Sequence, residues 1–209
     1  MFDRLVRMQH FDLPTRLLDV TINPLVALYF ASAEYKEDDK PQDGKVQALF
    51  LPEDRVRYFD SDRVSCMANL ANFTADEKRE ITAVCKLDMA EFNKQDIVKR
   101  LLWFVRVEKP HFEAKIDPRH LQHPVFVKPK MSNRRIIAQS GAFLIYGARR
   151  LTSREVDTDL RLSRAIVPAD KKPEIRDQLE RLGIHASSLF PEIDKAAGWI
   201  AKRYANRGV

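Results

Sequence analysis

Between residues 9 and 21 the chain reads QHFDLPTRLLDVT, which sets Gln9, His10, Thr15, Arg16 and Asp19 around a proline turn. Arginine is the side chain suited to a phosphate or carboxylate, because its planar fork offers several donors at once. A histidine beside it can move a proton near neutral pH. Arg16 and Asp19 stand three residues apart in a stretch expected to be extended, so they point to opposite faces and do not pair with each other. One of them must face packed chain, where a charge is costly without a partner. Two readings stay open: a buried ion pair, for example Asp19 with an arginine of the Arg134–Arg135 pair, or an anion held in a cleft by Arg16 or His10.

A second stretch, NRRIIAQSGAFLIYG at 133–147, has a similar composition. Arg135 and Gln139 precede Gly141, which tolerates close backbone approach or an unusual dihedral, and then an apolar run containing Phe143. The Gln139 amide could orient a ligand or simply close a turn. It does not ionise, so it cannot act as a general base.

Other chemistries find no pattern to support them. His111, His120, His123 and His185 have no partners at metal-ligand spacing, and HExxH, GxSxG and P-loop patterns are missing. Six glycines provide no glycine-rich phosphate cradle, and no metal is expected. Cys66 and Cys85 are expected as buried or half-buried thiols of a cytoplasmic protein. No apolar run approaches the roughly 20 residues a membrane span needs. The opening MFDRLVRMQHF lacks the apolar core and cleavage site of a signal peptide.

The chain has 209 residues, 44% hydrophobic and 32% charged, as expected of a globular protein able to bury a core. Its net charge of +6 permits nucleic acid or small anions as partners. The basic residues are scattered, with pairs at Arg134–Arg135, Arg149–Arg150 and Lys171–Lys172 and no interleaved aromatics, so nucleic acid is permitted but not indicated.

Hydrophobic spacing predicts the elements that would position these residues. Residues 2–9 read as the end of a helix, 15–20 as a short strand, and 24 to about 35 as a helix capped by Thr21 or Asn23 with Pro24 in its first turn. That helix is apolar nearly all round and is expected to be buried. A charged loop at 36–44 and a strand at 45–51 follow. A helical insertion is expected over about 53–108, with caps at Asp60 or Ser61, Thr74 and Asp88. Strands are expected at 124–128, 142–147 and 162–168. Helices close the chain over about 169–205, the first capped by Asp170 and ended by Gly183, the second carrying Leu189, Phe190, Ile193, Ala197 and Ile200. The fold class is α+β: a small mixed sheet with a helical insertion and C-terminal helices, in one domain spanning 1–209.

The stretch QHFDLPTRLLDVTINPLVALYFA resembles the QHxGLPTRLLDWT signature of the FRG domain family, and RRIIAQSGAF resembles its RxxxQxGxF element. Residues 164–197, which contain LGIHASSLFPEID, are similar to the family's C-terminal region. Asp12 stands where glycine is usual, and Val20 where tryptophan is usual. The family's upstream Phe-Arg-Gly motif is missing, as expected of either a truncated or a naturally short member. More distantly the family resembles the ADP-ribosyltransferase fold.

By that resemblance Arg16 and Gln139 become the catalytic candidates. Gln9, His10, Thr15, Asp19, Arg135, Gly141 and Phe143 would bind the ligand. NAD would be the substrate, and the role that of a bacterial toxin or phage-defence effector. A non-catalytic ligand- or partner-binding module on the same scaffold, and a basic nucleic-acid-binding protein, are the alternatives. The polar groups are expected to line a cleft between the Thr15–Asp19 strand, the helix after it and the segment Gln139–Phe143.

Overall fold

In a computed structural model of the chain, residues 1–11, 13–148 and 161–191 are described. Helix α1 (Phe2–His10) turns its apolar Phe2 and Leu5 inward and is followed, after the break around Pro14, by strand β1 (Leu17–Thr21). Helix α2 (Pro24–Ala31) starts where Asn23 Oδ1 accepts the Leu25 N–H at 2.9 Å, with Pro24 at its first position. It stops four residues earlier than its apolar run implies. The Ser32 hydroxyl donates back to the Tyr29 carbonyl, and the chain then enters a small hairpin, β2 (Lys36–Glu37) and β3 (Lys40–Pro41). Asp38 and Asp39 take positive φ of 50° and 60° at its tip, the geometry a two-residue hairpin turn asks for. The expected loop is thus a turn with paired flanks. Nor is α2 buried all round, because Leu25 and Phe30 are exposed while Val26 and Tyr29 are buried.

Strand β4 (Gly44–Phe50) leads into β5 (Val56–Tyr58), a strand inside the region expected to be wholly helical. Three residues interrupted by Arg57 carry no periodic signal; pairing with a partner defines them. The insertion then continues as α3 (Asp62–Asn69), α4 (Ala75–Val84), α5 (Met89–Lys94) and α6 (Asp96–Glu108). Its caps are Ser61, Thr74 in a reciprocal box with Glu77, and Asp88.

Strand β6 (Val125–Lys128), helix α7 (Arg134–Ala138), strands β7 (Gly141–Ile145) and β8 (Arg161–Val167), and helices α8 (Lys172–Arg181) and α9 (Ala186–Leu189) complete the described chain. Asp170 does not cap α8. It lies in a 3-10 turn just before the helix, whose first flanking residue is Lys171 with no side-chain cap. Gly183, at φ 80°, ends α8: its N–H donates to the Glu180 carbonyl, and that of Ile184 to the Leu179 carbonyl. The expectations at Asp12, Arg149–Arg150, Ile193, Ala197 and Ile200 lie outside the described residues.

The chain divides into two compact units. The first comprises Met1–Asp19, Leu51–Pro129 and Phe143–Leu160. Its strands belong to a mixed sheet of order β1-β7-β6-β5, with β5 parallel to β6 and β6 antiparallel to β7. Val64, Met67, Leu70, Ile81, Phe92 and Leu101 of the insertion are fully buried. Each such side chain contributes about 1.5–3 kcal/mol. The second unit comprises Val20–Phe50, Lys130–Ala142 and Arg161–Val209. There β4 and β8 pair antiparallel, Gly44 opposite Val167 and Phe50 opposite Arg161. Val26 and Tyr29 of α2 pack with Leu179 and Leu189, joined by Ile175, Ile184 and Phe190.

Candidate functional site

The nine expected site residues fall in both units: Gln9, His10, Thr15, Arg16, Asp19 and Phe143 in the first, Arg135, Gln139 and Gly141 in the second. In the first unit the turn around Pro14 is closed by a relay. The Leu17 N–H donates to Thr15 Oγ1 at 3.0 Å, the Thr15 hydroxyl donates to Gln9 Oε1, and Gln9 Nε2 donates to Asp19 Oδ1 at 3.0 Å. Asp19 is exposed, so the charge on the packed side of this turn is that of Arg16. His10 is the last residue of α1 and half-buried. Phe143 is buried edge-on against Phe2, with ring centroids 5.8 Å apart.

Arg16 is anchored to main chain. One guanidinium nitrogen donates to the carbonyls of Tyr146 and Gly147 at 3.1 and 3.2 Å, and the Arg16 carbonyl accepts the Tyr146 N–H at 3.0 Å. Burial pulls the guanidinium down to about 10, still fully charged at neutral pH. Lys78 of α4 is held below the ordinary lysine range by its own burial and by the Arg16 charge. No spacing in the sequence links Lys78 to position 16, and only the folded first unit brings their charges together.

In the second unit Thr21 supports the other stretch. Its hydroxyl donates to the Gln139 carbonyl at 2.8 Å and accepts the Asn23 N–H at 3.0 Å, and the Ile22 N–H donates to the Ser140 carbonyl. The Gln139 amide donates to the Leu189 carbonyl at 3.1 Å. Arg135 lies over the Phe190 ring, 5.1 Å from its centroid, a cation–π contact. The left-handed residue of this stretch is Ser140, at φ 47°, rather than Gly141. Gly141 instead gives close approach, since a Cβ there would meet the Ile136 carbonyl oxygen at 3.3 Å.

Both free thiols are buried and pushed up by burial, Cys66 to about 12 and Cys85 to about 11. Among the described residues no group of three or more His, Cys, Asp or Glu is placed to hold a metal ion. No described helix is long and apolar enough to cross a membrane.

A mixed four-stranded sheet together with helices makes this an α+β protein. The FRG domain family model matches residues 1–40, the stretch that holds α1, β1, α2 and the start of the small hairpin. No curated protein and no solved structure matches the chain.

Proposed function

We propose that this chain is a binding module for a small anionic ligand of nucleotide type, held by Arg16, and that it binds the ligand without turning it over. Arg16 is the observation that carries it. A half-buried guanidinium whose hydrogen bonds go to carbonyls meets only partial negative charge, and its field adds to burial in depressing Lys78. An arriving anion relieves both cations and repays part of the cost of burying Arg16. The FRG domain match includes Arg16, and the family resemblance makes NAD the first nucleotide to try. Binding without turnover is favoured by Gln139, which commits its amide to the Leu189 carbonyl and has no proton to accept or release near neutral pH.

Calorimetry with NAD and with ADP, run alongside chromatography for released nicotinamide, tests this. The parent is expected to bind, Lys78→Gln to bind roughly tenfold more weakly, a difference of about 1.4 kcal/mol, and no nicotinamide to appear above the blank. Nicotinamide release exceeding that of a Gln139→Ala control would replace the binding module by an NAD-consuming effector. A folded parent that binds neither nucleotide would end the idea.

A further inference from the structure

A cavity of about 610 Å³ opens in the first unit between the start of α3, the end of α6 and the segment 110–120. That volume lies within the range of small-molecule sites. We propose that it is a pocket for an organic anion, a phosphate or carboxylate carried on an aromatic or aliphatic body, with Arg63 at its charged end.

The charge balance of the wall supports an anion. Each carboxylate lining the cavity already faces a cation: Asp62 lies 2.7 Å from Lys109 Nζ, Glu113 3.2 Å from Lys115 Nζ, and Asp117 2.7 Å from an Arg119 nitrogen. Arg63 has no such match at hydrogen-bonding distance. It is only 8% exposed, and its guanidinium donates to the carbonyls of His120 and Asp54 at 3.2 and 3.3 Å. Burial first, then Arg57 and Arg55, pull Arg63 down to about 10, against the opposing charges of Asp54 and Asp117. His120, beside it, is also held below the ordinary imidazole range, first by burial and then by Arg63. A buried cation that hydrogen-bonds only to carbonyls, and whose pull from Asp54 and Asp117 is outweighed by burial and by Arg57 and Arg55, gains from a full negative charge at its fork.

The rest of the lining is suited to a carbon skeleton. Ile116 is buried, Phe112 half-buried, and Cys66 keeps its thiol protonated and acts as a small hydrophobe. An anion lacking a body would leave these surfaces unused.

Phenyl phosphate, inorganic phosphate and benzyl alcohol are the probes, titrated into the full chain by calorimetry. Phenyl phosphate is expected to bind about tenfold or more tightly than inorganic phosphate, and benzyl alcohol not to saturate. Arg63→Gln should weaken phenyl phosphate by a similar factor. Phe112→Ala should remove the preference for phenyl phosphate over the inorganic ion. Arg16→Gln should leave phenyl phosphate within about twofold, which separates this pocket from the nucleotide site. Should Arg63→Gln fail to fold, the ring resonances of His111 and His120 in the parent decide, and they are expected to shift on titration. Equal binding of the two phosphates, undiminished binding by folded Arg63→Gln, or unmoved histidine resonances would overturn the proposal.

Discussion

Arg16 grips Tyr146 twice. Its carbonyl accepts the Tyr146 N–H at 3.0 Å, while its guanidinium donates to the Tyr146 carbonyl at 3.1 Å and to that of Gly147 at 3.2 Å. The arginine read from the sequence as an anion holder therefore also fastens the entry of β1 to the exit of β7.

Arg16→Gln is accordingly expected to lower stability by about 1–3 kcal/mol in urea unfolding, the cost of losing charged hydrogen bonds to two half-buried carbonyls. Arg16→Lys should recover only part of that loss, because an ammonium is more strongly hydrated than a guanidinium and costs more to bury. A Gln variant as stable as the parent would show that the contact contributes nothing.

Gly147 has no room for a side chain. A Cβ there would run into the Leu121 carbonyl oxygen, which also accepts the Ala148 N–H at 2.7 Å. Gly147→Ala is expected to cost about 2–3 kcal/mol, since backbone rather than a flexible side chain must move. Gly183→Ala, at φ 80° with open space around it, should cost only about 1 kcal/mol through its dihedral. Thermal melts of the two variants check the order.

His120 is held below the ordinary imidazole range by burial, then by Arg63, with Asp117 opposing and Arg119 and Arg57 adding to the depression. Its titration midpoint, followed by proton NMR, should rise in Arg63→Gln. The unfolded chain takes this proton first as pH falls, so the His120 contribution to stability is present above the ordinary imidazole range and lost as pH drops through the lowered folded value. No change in the variant would mean that Arg63 does not act on the ring.

Cys66 and Cys85 make the protein sensitive to alkali. From the ordinary thiol value of 9.0, burial raises them to about 12 and about 11, so above pH 9 the unfolded chain loses protons that the folded chain keeps. Their contribution to stability is intact below pH 9 and lost as pH climbs through the folded values. Urea midpoints measured at increasing pH should fall, and by less in Cys66→Ala. Iodoacetamide at pH 8 should label neither thiol until denaturant is added.

What could be read along the chain was local. Asn23, Ser61, Thr74 and Asp88 cap their helices through N–H groups two or three residues ahead, so residue type and spacing suffice to find them. Gly183 ends α8 for the same reason. Strand β5 escaped because only its parallel pairing with Phe126–Lys128, some seventy residues later, makes Val56–Tyr58 extended. The overlong α2 and the misplaced cap at Asp170 arose where neighbouring chain, the small hairpin and a 3-10 turn, overrode propensity.

Residue types and spacing carried the α+β class, the starts of α2, α3, α4 and α5, the end of α8 and the stretch matched by the FRG domain model, because each cap acts on backbone a few positions away. Long-range packing sets the rest: Arg16 meets the carbonyls at 146 and 147, Gln139 is committed to Leu189, and Arg63 is buried beside a cavity. Carbonyl acceptors are identical at every residue, so which of them a given donor reaches is set by where distant chain packs and leaves no mark in the amino-acid types.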